Sequence, residues 1–227
     1  MNTVFWKRTL AALCALLFCL SPLAGPVFTL RACADYQPPE ELVALWEQNK
    51  DVIGALSIPG TDIHYPILQH PSVDDYYLNV CFDGTEGLPG SIYTNAVEGK
   101  AFSTFNTVIY GHNMADGSYF GSLRQYNDAA FLAEHREIDI YTPTRAHRYD
   151  VIAVVTYDDR YITDFYNDER AGDRAAFLQS LQDFGAVIPA DASVSVDGHI
   201  ITLSTCIGGM PDKRLLIVAA EREDVPR

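Results

Sequence analysis

A cysteine and an arginine flank a short turn near the end of the chain. Cys206 precedes the turn Ile207–Lys213, which is rich in Gly and Pro, and Arg214 follows it. A cysteine acts as a nucleophile in its thiolate form, which a nearby cation favours. If the turn is centred on Met210, Cys206 and Arg214 face each other across an antiparallel pair, with their Cβ atoms about 5 Å apart. We therefore expect an activated thiol, although a buried structural cysteine would fit the same residue types.

A thiol that cleaves an amide also needs a proton donor for the departing amine, and histidine is the usual one. His112 follows the strand-like run Thr107–Tyr110 in the stretch TVIYGHNM, where Gly111 gives the backbone freedom to turn. We expect the other five histidines to be structural or solvated: His64, His70, His135, His147 and His199.

The charge balance limits the partners. The net charge is −14, which argues against nucleic acid and against an electrostatic hold on anionic lipid. We expect a monomer with one folded domain.

The N-terminus predicts export. After Lys7 and Arg8, the segment Thr9–Leu30 carries no charge and is long enough to span a bilayer. The positive-inside rule then places the rest of the chain outside the cell. A cleaved signal peptide is the alternative, because Ala32-Cys33-Ala34 resembles a cleavage site. We predict an anchor or signal segment over residues 1–30, a linker and helix over 31–50, and a catalytic domain over 51–222.

The five cysteines indicate no metal centre. Cys14 and Cys19 lie in the apolar segment, and Cys33 follows it. Only Cys81 and Cys206 lie in the exported domain, where they are able to form one disulfide, although nothing in the sequence brings them together. Because no CxxC pair or His-rich spacing is present, we expect neither a metal nor a cofactor.

Short strands between turns indicate a mainly β domain. Glu40–Lys50 has the pattern of an amphipathic helix, and the turn Pro59–Asp62 separates the first two strands. The predicted strands are 52–58, 63–68, 90–93, 107–110, 137–141, 149–156, 200–205 and 215–220, which suggest a sandwich or barrel. Helical patterns interrupt them at Ser118–Tyr126, Asp128–His135 and Gly172–Phe184, the last with Asp173 as its expected cap.

The ordered set of these motifs resembles the sortases. YGHNM at Tyr110–Met114, TLSTC at Thr202–Cys206 and an arginine that opens the next strand follow one another as in that family. DVIGALSIPGTDIHYPILQ is similar to its first two strands, and DDYYLN to the short helix after them. GSYFGSL after the histidine and a helix between the sixth and seventh strands are similar to class B.

The resemblance implies an eight-stranded β-barrel with helical inserts, an N-terminal helix and a helix between strands 6 and 7. It implies a membrane-anchored cysteine transpeptidase of a Gram-positive bacterium, which cleaves a C-terminal sorting motif after Thr and joins the Thr to an amine of a cell-wall precursor or pilin. By position, Cys206 would be the nucleophile, His112 the general acid and base, and Arg214 the group that holds the substrate and its oxyanion. Thr205, Ser204 and Asn113 would contact the substrate. Lys213 departs from class B, where many members carry a small polar residue before the arginine.

Three alternatives remain. Papain-type hydrolases place the cysteine before the histidine, whereas here His112 comes first. L,D-transpeptidases share this order but place the two residues close together in the chain. An exported β-domain that binds a wall ligand without catalysis is the third.

Overall fold

The computed structural model describes residues 36–99 and 102–222. The predicted anchor over residues 1–30 and the cysteines Cys14, Cys19 and Cys33 lie outside this part of the chain. Helix α1, Glu40–Gln48, begins after Pro39 and packs Leu42 against the barrel. It is two residues shorter than predicted. Within residues 36–99 and 102–222, no helix is long and apolar enough to cross a membrane.

Eight strands close into a barrel, as predicted. They are β1 Val52–Ser57, β2 His64–Leu68, β3 Ile92–Tyr93, β4 Asn106–Tyr110, β5 Glu137–Tyr141, β6 Ala146–Asp158, β7 Ile200–Ile207 and β8 Met210–Glu221. Around the barrel the order is β1-β2-β3-β4-β7-β8-β6-β5. Closure leaves every strand with two neighbours, which removes the exposed edges of an open sheet. The order places β7 between β4 and β8, so the segments that carry His112, Cys206 and Arg214 are adjacent.

Alternating side chains divide each strand between two apolar clusters. In β7, Ile201 and Leu203 belong to the inner cluster of the barrel, with Ile109 and Ile217 from the neighbouring strands. Ile200 belongs instead to an outer cluster. The outer face therefore also needs a cover, and the segment between β6 and β7 supplies it.

This cover consists of two helices. The short helix α3, Ile162–Phe165, was not predicted; α4, Ala171–Asp183, matches the predicted helix within one residue at each end. Phe177 and Leu181 of α4 pack on the outer cluster. The expected cap was wrong, because Arg170 occupies the cap position and the Asp173 carboxylate accepts from Asn167 N at 3.2 Å.

Two segments between strands form 3₁₀ helices. The first, Tyr76–Leu78, lies between β2 and β3. The second, Gly121–Asn127, follows β4 and replaces much of the α-helix predicted at 118–126. Helix α2, Ala129–Glu134, begins after Asp128, whose carboxylate accepts from two backbone N–H groups of its first turn. Asp128 is thus a normal N-cap.

Strands β6 and β8 extend beyond their predicted apolar runs. The prediction ended each strand where polar residues begin, but β6 continues to Asp158 and β8 starts at Met210. The backbone ladder between them pairs Asp158 with Lys213. Hydrophobic periodicity detects only the buried part of such a strand.

Candidate active site

Cys206 and Arg214 face each other across the β7–β8 hairpin, as the sequence predicts. The turn itself differs from the prediction. Strand β8 starts at Met210, which pairs with Ile207, so the turn is the two-residue Gly208-Gly209, and Gly209 adopts a φ of 78°. Two glycines are a strong signal for a tight hairpin.

A bulge restores the opposition of cysteine and arginine. Between the pairs Ile207–Met210 and Cys206–Arg214, β7 advances one residue and β8 advances four. The residues Pro211, Asp212 and Lys213 therefore have no partner on β7, and the proline has no N–H to offer a ladder. The Arg214 Nη1 donates to the carbonyls of Pro211 and Lys213, both at 2.9 Å. The arginine thereby stabilises the bulge that positions it.

The Cys206 side chain is exposed and lies on the outer face of the barrel. Side chains alternate along β7, so Cys206 and Ser204 point to the same face as Ile200 and away from Thr205. Helices α3 and α4 pack on this face. Both Cys206 and Cys81 are free thiols. The disulfide that the sequence allowed is therefore not formed.

His112 is brought beside Cys206 by the parallel pairing of β4 with β7. Tyr110 pairs with Ser204, and the two catalytic candidates each follow two residues later. Two further bonds continue the pairing past the end of β4. Gly111 N donates to Ser204 O at 3.2 Å, and the Thr205 hydroxyl donates to Gly111 O at 2.7 Å.

Gly111 is required for a reason other than the one predicted. The sequence suggested backbone freedom, but Gly111 is not among the glycines with positive φ. A Cβ at this position would lie 2.4 Å from Ile92 Cδ1 and 2.7 Å from Phe120 Cδ2. The glycine therefore provides space where the chain passes over the core.

The His112 ring is held by a carbonyl. Its Nε2 lies 2.7 Å from Leu78 O, in the first 3₁₀ helix. Because a carbonyl only accepts, Nε2 is the protonated nitrogen in this contact. The sequence did not identify Leu78 as part of the site, although it singled out the segment DDYYLN that contains it.

The three predicted substrate contacts lie in different environments. Ser204 is buried beneath the outer face, and Thr205 turns its hydroxyl inward to Gly111. Asn113 is half-exposed, and its amide nitrogen donates to Cys206 O at 2.9 Å. All three are thus within one or two residues or one hydrogen bond of Cys206.

Each of the other histidines has a hydrogen-bond or ion-pair partner. His135 and His199 contact backbone carbonyls of other segments, and His147 contacts the Glu221 carboxylate at 2.8 Å. His64 pairs with Glu41, and His70 accepts from two backbone N–H groups nearby. None of these contacts places a second histidine beside Cys206.

A cavity of about 490 Å³ opens next to Cys206. Buried apolar groups, among them Phe120 and Leu215, line it together with the half-exposed Ile207, and Arg124 is the one basic side chain of its lining. A larger cavity of about 760 Å³ lies elsewhere, around Arg136 and the end of β8. In the described residues, no group of three His, Cys, Asp or Glu side chains is arranged to hold a metal ion.

The chain is similar to class B sortases along most of its length. The sortase domain family matches residues 56–223. Sortase B of Listeria monocytogenes is 37% identical over 171 residues, which cover 74% of this chain and 67% of that protein. Sortase B of Staphylococcus aureus is 33% identical over 176 residues, with 75% and 70% covered. The crystal structure of sortase B from B. anthracis in complex with AAEK1 superposes with a TM-score of 0.72 at 29% identity, over 83% of this chain and 88% of that one.

Proposed function

The chain belongs to the sortase family and is a class B cysteine transpeptidase, and we propose that Cys206 is its nucleophile. The substrate is an exported protein whose C-terminal sorting motif is cleaved after Thr, and the acceptor is an amine of a cell-wall precursor or pilin. The observation that carries this assignment is the exposed thiol of Cys206, opposite Arg214 and beside the loop of His112.

The reaction takes place in two steps at the same thiol. The Cys206 sulfur attacks the carbonyl carbon of the Thr, the peptide C–N bond breaks, and the departing amine takes up a proton. A thioester then joins the substrate to Cys206. The acceptor amine attacks this thioester, loses a proton, and releases the thiol with a new amide bond. Covalent catalysis of this kind divides one difficult step into two easier ones.

In the first step His112 takes the proton of the Cys206 thiol on its free ring nitrogen and passes it to the departing amine, and in the second it takes a proton from the acceptor amine and returns it to the sulfur. Its Nε2 donates to Leu78 O, which fixes the plane of the ring. The other ring nitrogen is then available for proton exchange with the thiol and the amine. A positioned general acid and base contributes typically about 10²- to 10⁴-fold to the rate.

Arg214 holds the substrate and stabilises the negative oxygen of the tetrahedral intermediate. Only its Nη1 is used by the carbonyls of Pro211 and Lys213. The remaining N–H groups of the guanidinium are a rigid set of donors suited to an oxyanion. Lys213, which differs from the small polar residue of many class B members, lies on the bulge, and its ammonium is 4.0 Å from the Asp212 carboxylate. The pairing of Arg214 with Cys206 is intact beside it.

Three neighbours support these groups. Thr205 fixes Gly111, and through it the position of His112. Asn113 fixes the backbone carbonyl of Cys206. Ser204 lies on the same strand face as the thiol and forms part of the floor on which the substrate rests.

Export and anchoring complete the proposal. The uncharged segment Thr9–Leu30 behind Lys7 and Arg8 anchors the enzyme in the membrane, residues 31–50 form a linker and helix, and residues 51–222 form the catalytic domain outside the cell. This arrangement suits a family that acts at the cell surface on exported proteins.

Mass spectrometry of trapped acyl-enzyme tests the assignment of the nucleophile. The probe is the best substrate from a fluorogenic peptide library in which Thr is fixed and its neighbours vary. We expect the mass of the acyl fragment on the peptide that contains Cys206, and no adduct or cleavage with Cys206→Ala. Cys81→Ala is the matched control, since it removes the other free thiol of the described chain.

The same assay separates transfer from hydrolysis. Added amine acceptors should yield an amide product in proportion to their concentration. Full cleavage by Cys206→Ala, or an adduct on Cys81, would contradict the proposal.

A further inference from the structure

Asp75 lies at a point where three parts of the site meet. It precedes the first 3₁₀ helix, and its own carbonyl accepts from Leu78 N at 3.0 Å. Leu78 in turn contacts His112. Asp75 adopts a φ of 55°, a left-handed conformation that aspartate tolerates better than most residues.

Both carboxylate oxygens of Asp75 are used by tyrosines from other segments. Tyr93 of β3 donates to Oδ1 at 2.9 Å, and Tyr161, between β6 and α3, donates to Oδ2 at 2.6 Å. The hydrogen bond to Asp75, together with burial, raises the pKa of Tyr161 to about 12. Hydrogen bonds to a charged acceptor are the stronger ones in proteins.

Tyr161 is close to the arginine of the site. The positive charge of Arg214 acts on the Tyr161 hydroxyl and opposes the rise of its pKa. Tyr161 is 45% exposed although its side chain is large and aromatic. The hydrogen bond from Tyr161 to Asp75, called the tether below, therefore holds the aromatic ring of Tyr161 exposed to solvent at the edge of the outer face.

A row of aromatic rings connects Tyr161 to β4, the strand next to that of the thiol. The Tyr110 ring lies 6.5 Å from that of Tyr161 and 5.4 Å from that of Tyr93, measured between centroids. Tyr110 pairs with Ser204, two residues before Cys206. The Tyr110 hydroxyl is buried and has no hydrogen-bond partner within residues 36–99 and 102–222.

From these contacts we infer that Asp75 is a positioning residue, which fixes Tyr161 as a wall of the groove for the sorting peptide. The carboxylate connects the side of the site that holds His112 to the side that holds Arg214. An extended peptide with its Thr carbonyl at Cys206 packs against the exposed face of Tyr161, at the end of the aromatic row. This inference rests on the proposed role of Cys206 and adds a determinant of peptide binding.

Two substitutions break the tether without removing the wall or straining the backbone. Tyr161→Phe keeps the ring and loses only the hydroxyl. Asp75→Gly removes the carboxylate from both Tyr161 and Tyr93 and suits a positive φ. Each should raise KM for the library-derived peptide about tenfold and leave kcat within about twofold, because binding is affected and the reacting groups are not.

The double variant gives the readout that a general structural role would not produce. If one tether is responsible, Asp75→Gly combined with Tyr161→Phe should have a KM no more than about twice that of the worse single variant, since the second change removes nothing further. Tyr36→Phe is the matched control. It deletes the hydroxyl of a half-exposed tyrosine that donates to Thr142 O at 3.1 Å, away from these contacts. Its KM should equal that of the parent.

Two outcomes would overturn the inference. One is an unchanged KM in both single variants, and the other is independent, multiplying effects in the double variant. Alkylation of Cys206 by iodoacetamide at the parental rate in all variants confirms that the thiol is intact. If the parent itself forms no acyl adduct on Cys206, the proposed function fails; if the adduct forms and KM does not change, only the role of Asp75 fails.

Discussion

Thr205 tests how the barrel positions His112 against Cys206. Its side chain is 4% exposed, and its hydroxyl donates at 2.7 Å to the carbonyl of Gly111, the residue before His112. Thr205→Val keeps the shape and the β-branching of the side chain and removes the donor. Loss of a partner for a buried polar group costs about 1–3 kcal/mol. At about 2–4 °C per kcal/mol for a domain of this size, the melting temperature should fall by roughly 2–12 °C.

The effect on catalysis should exceed the effect expected from stability. Without this bond, Gly111 itself is held to β7 by the longer backbone bond from its N–H to Ser204 O, at 3.2 Å. A displacement of about 1 Å in a catalytic group can cost about 10²-fold, so a smaller shift of His112 should lower kcat/KM about tenfold, mainly through kcat. Fluorogenic peptide cleavage, well below the melting temperature, measures this. Thr205→Ser retains the hydroxyl and should restore most of the activity.

Thr202 provides the matched control in the same strand. It is fully buried, and its hydroxyl donates at 2.8 Å to the Asn106 side chain at the other end of β4. Thr202→Val should therefore lose similar stability and keep kcat/KM within about twofold of the parent. Equal losses of activity in Thr202→Val and Thr205→Val would refute the reasoning, because activity would then follow stability and not the position of His112.

Three further predictions test single residues. His112→Ala should lower kcat/KM by about 10²- to 10⁴-fold, whereas His135→Ala should leave it nearly unchanged; comparable losses would assign the proton transfer elsewhere. Arg214→Lys should fold normally and lower kcat/KM by roughly two to three orders of magnitude, since it keeps the charge and loses the planar set of donors, and a rate within about threefold of the parent would exclude an oxyanion role. Burial raises the pKa of Glu98 from 4.5 to about 8, so the folded state keeps a proton that the unfolded state loses between these values. The free energy of unfolding should therefore decrease as pH rises from about 4.5 to about 8, and Glu98→Gln should flatten this decrease in denaturant titrations; an unchanged slope would show that Glu98 ionises normally in the fold.

Local pairing could be predicted from the sequence, whereas its details could not. The opposition of Cys206 and Arg214 follows from the short separation of two apolar runs, and it is confirmed. The turn was placed incorrectly because Pro211–Lys213 has the composition of a turn and is instead a bulge within β8. Gly208-Gly209 carried the correct signal, since two central residues of this kind close the tightest hairpins.

Contacts between distant segments could not be predicted from the sequence. The ring of His112 is held by Leu78, 34 positions earlier, and Tyr161 reaches Asp75 across 86 positions. Periodicity and turn composition describe neighbours in the chain and contain no information on such pairs. The same limit explains Gly111, whose need for space arises from Ile92 and Phe120 in other segments.

The register of one parallel strand pair determines whether the site exists. The β7–β8 hairpin brings Arg214 to Cys206 by local connection, but His112 depends on the pairing of β4 with β7, about ninety positions apart. A slip of one residue in that pair would turn the side chains of β4 to the opposite face and displace the loop of His112 from Cys206. Hydrogen bonds of two buried threonine hydroxyls fix the register at opposite ends, Thr202 to Asn106 and Thr205 to Gly111. The polar residues of TLSTC therefore do more than lead to the cysteine: they hold the strand that presents it in register with the strand that presents the histidine.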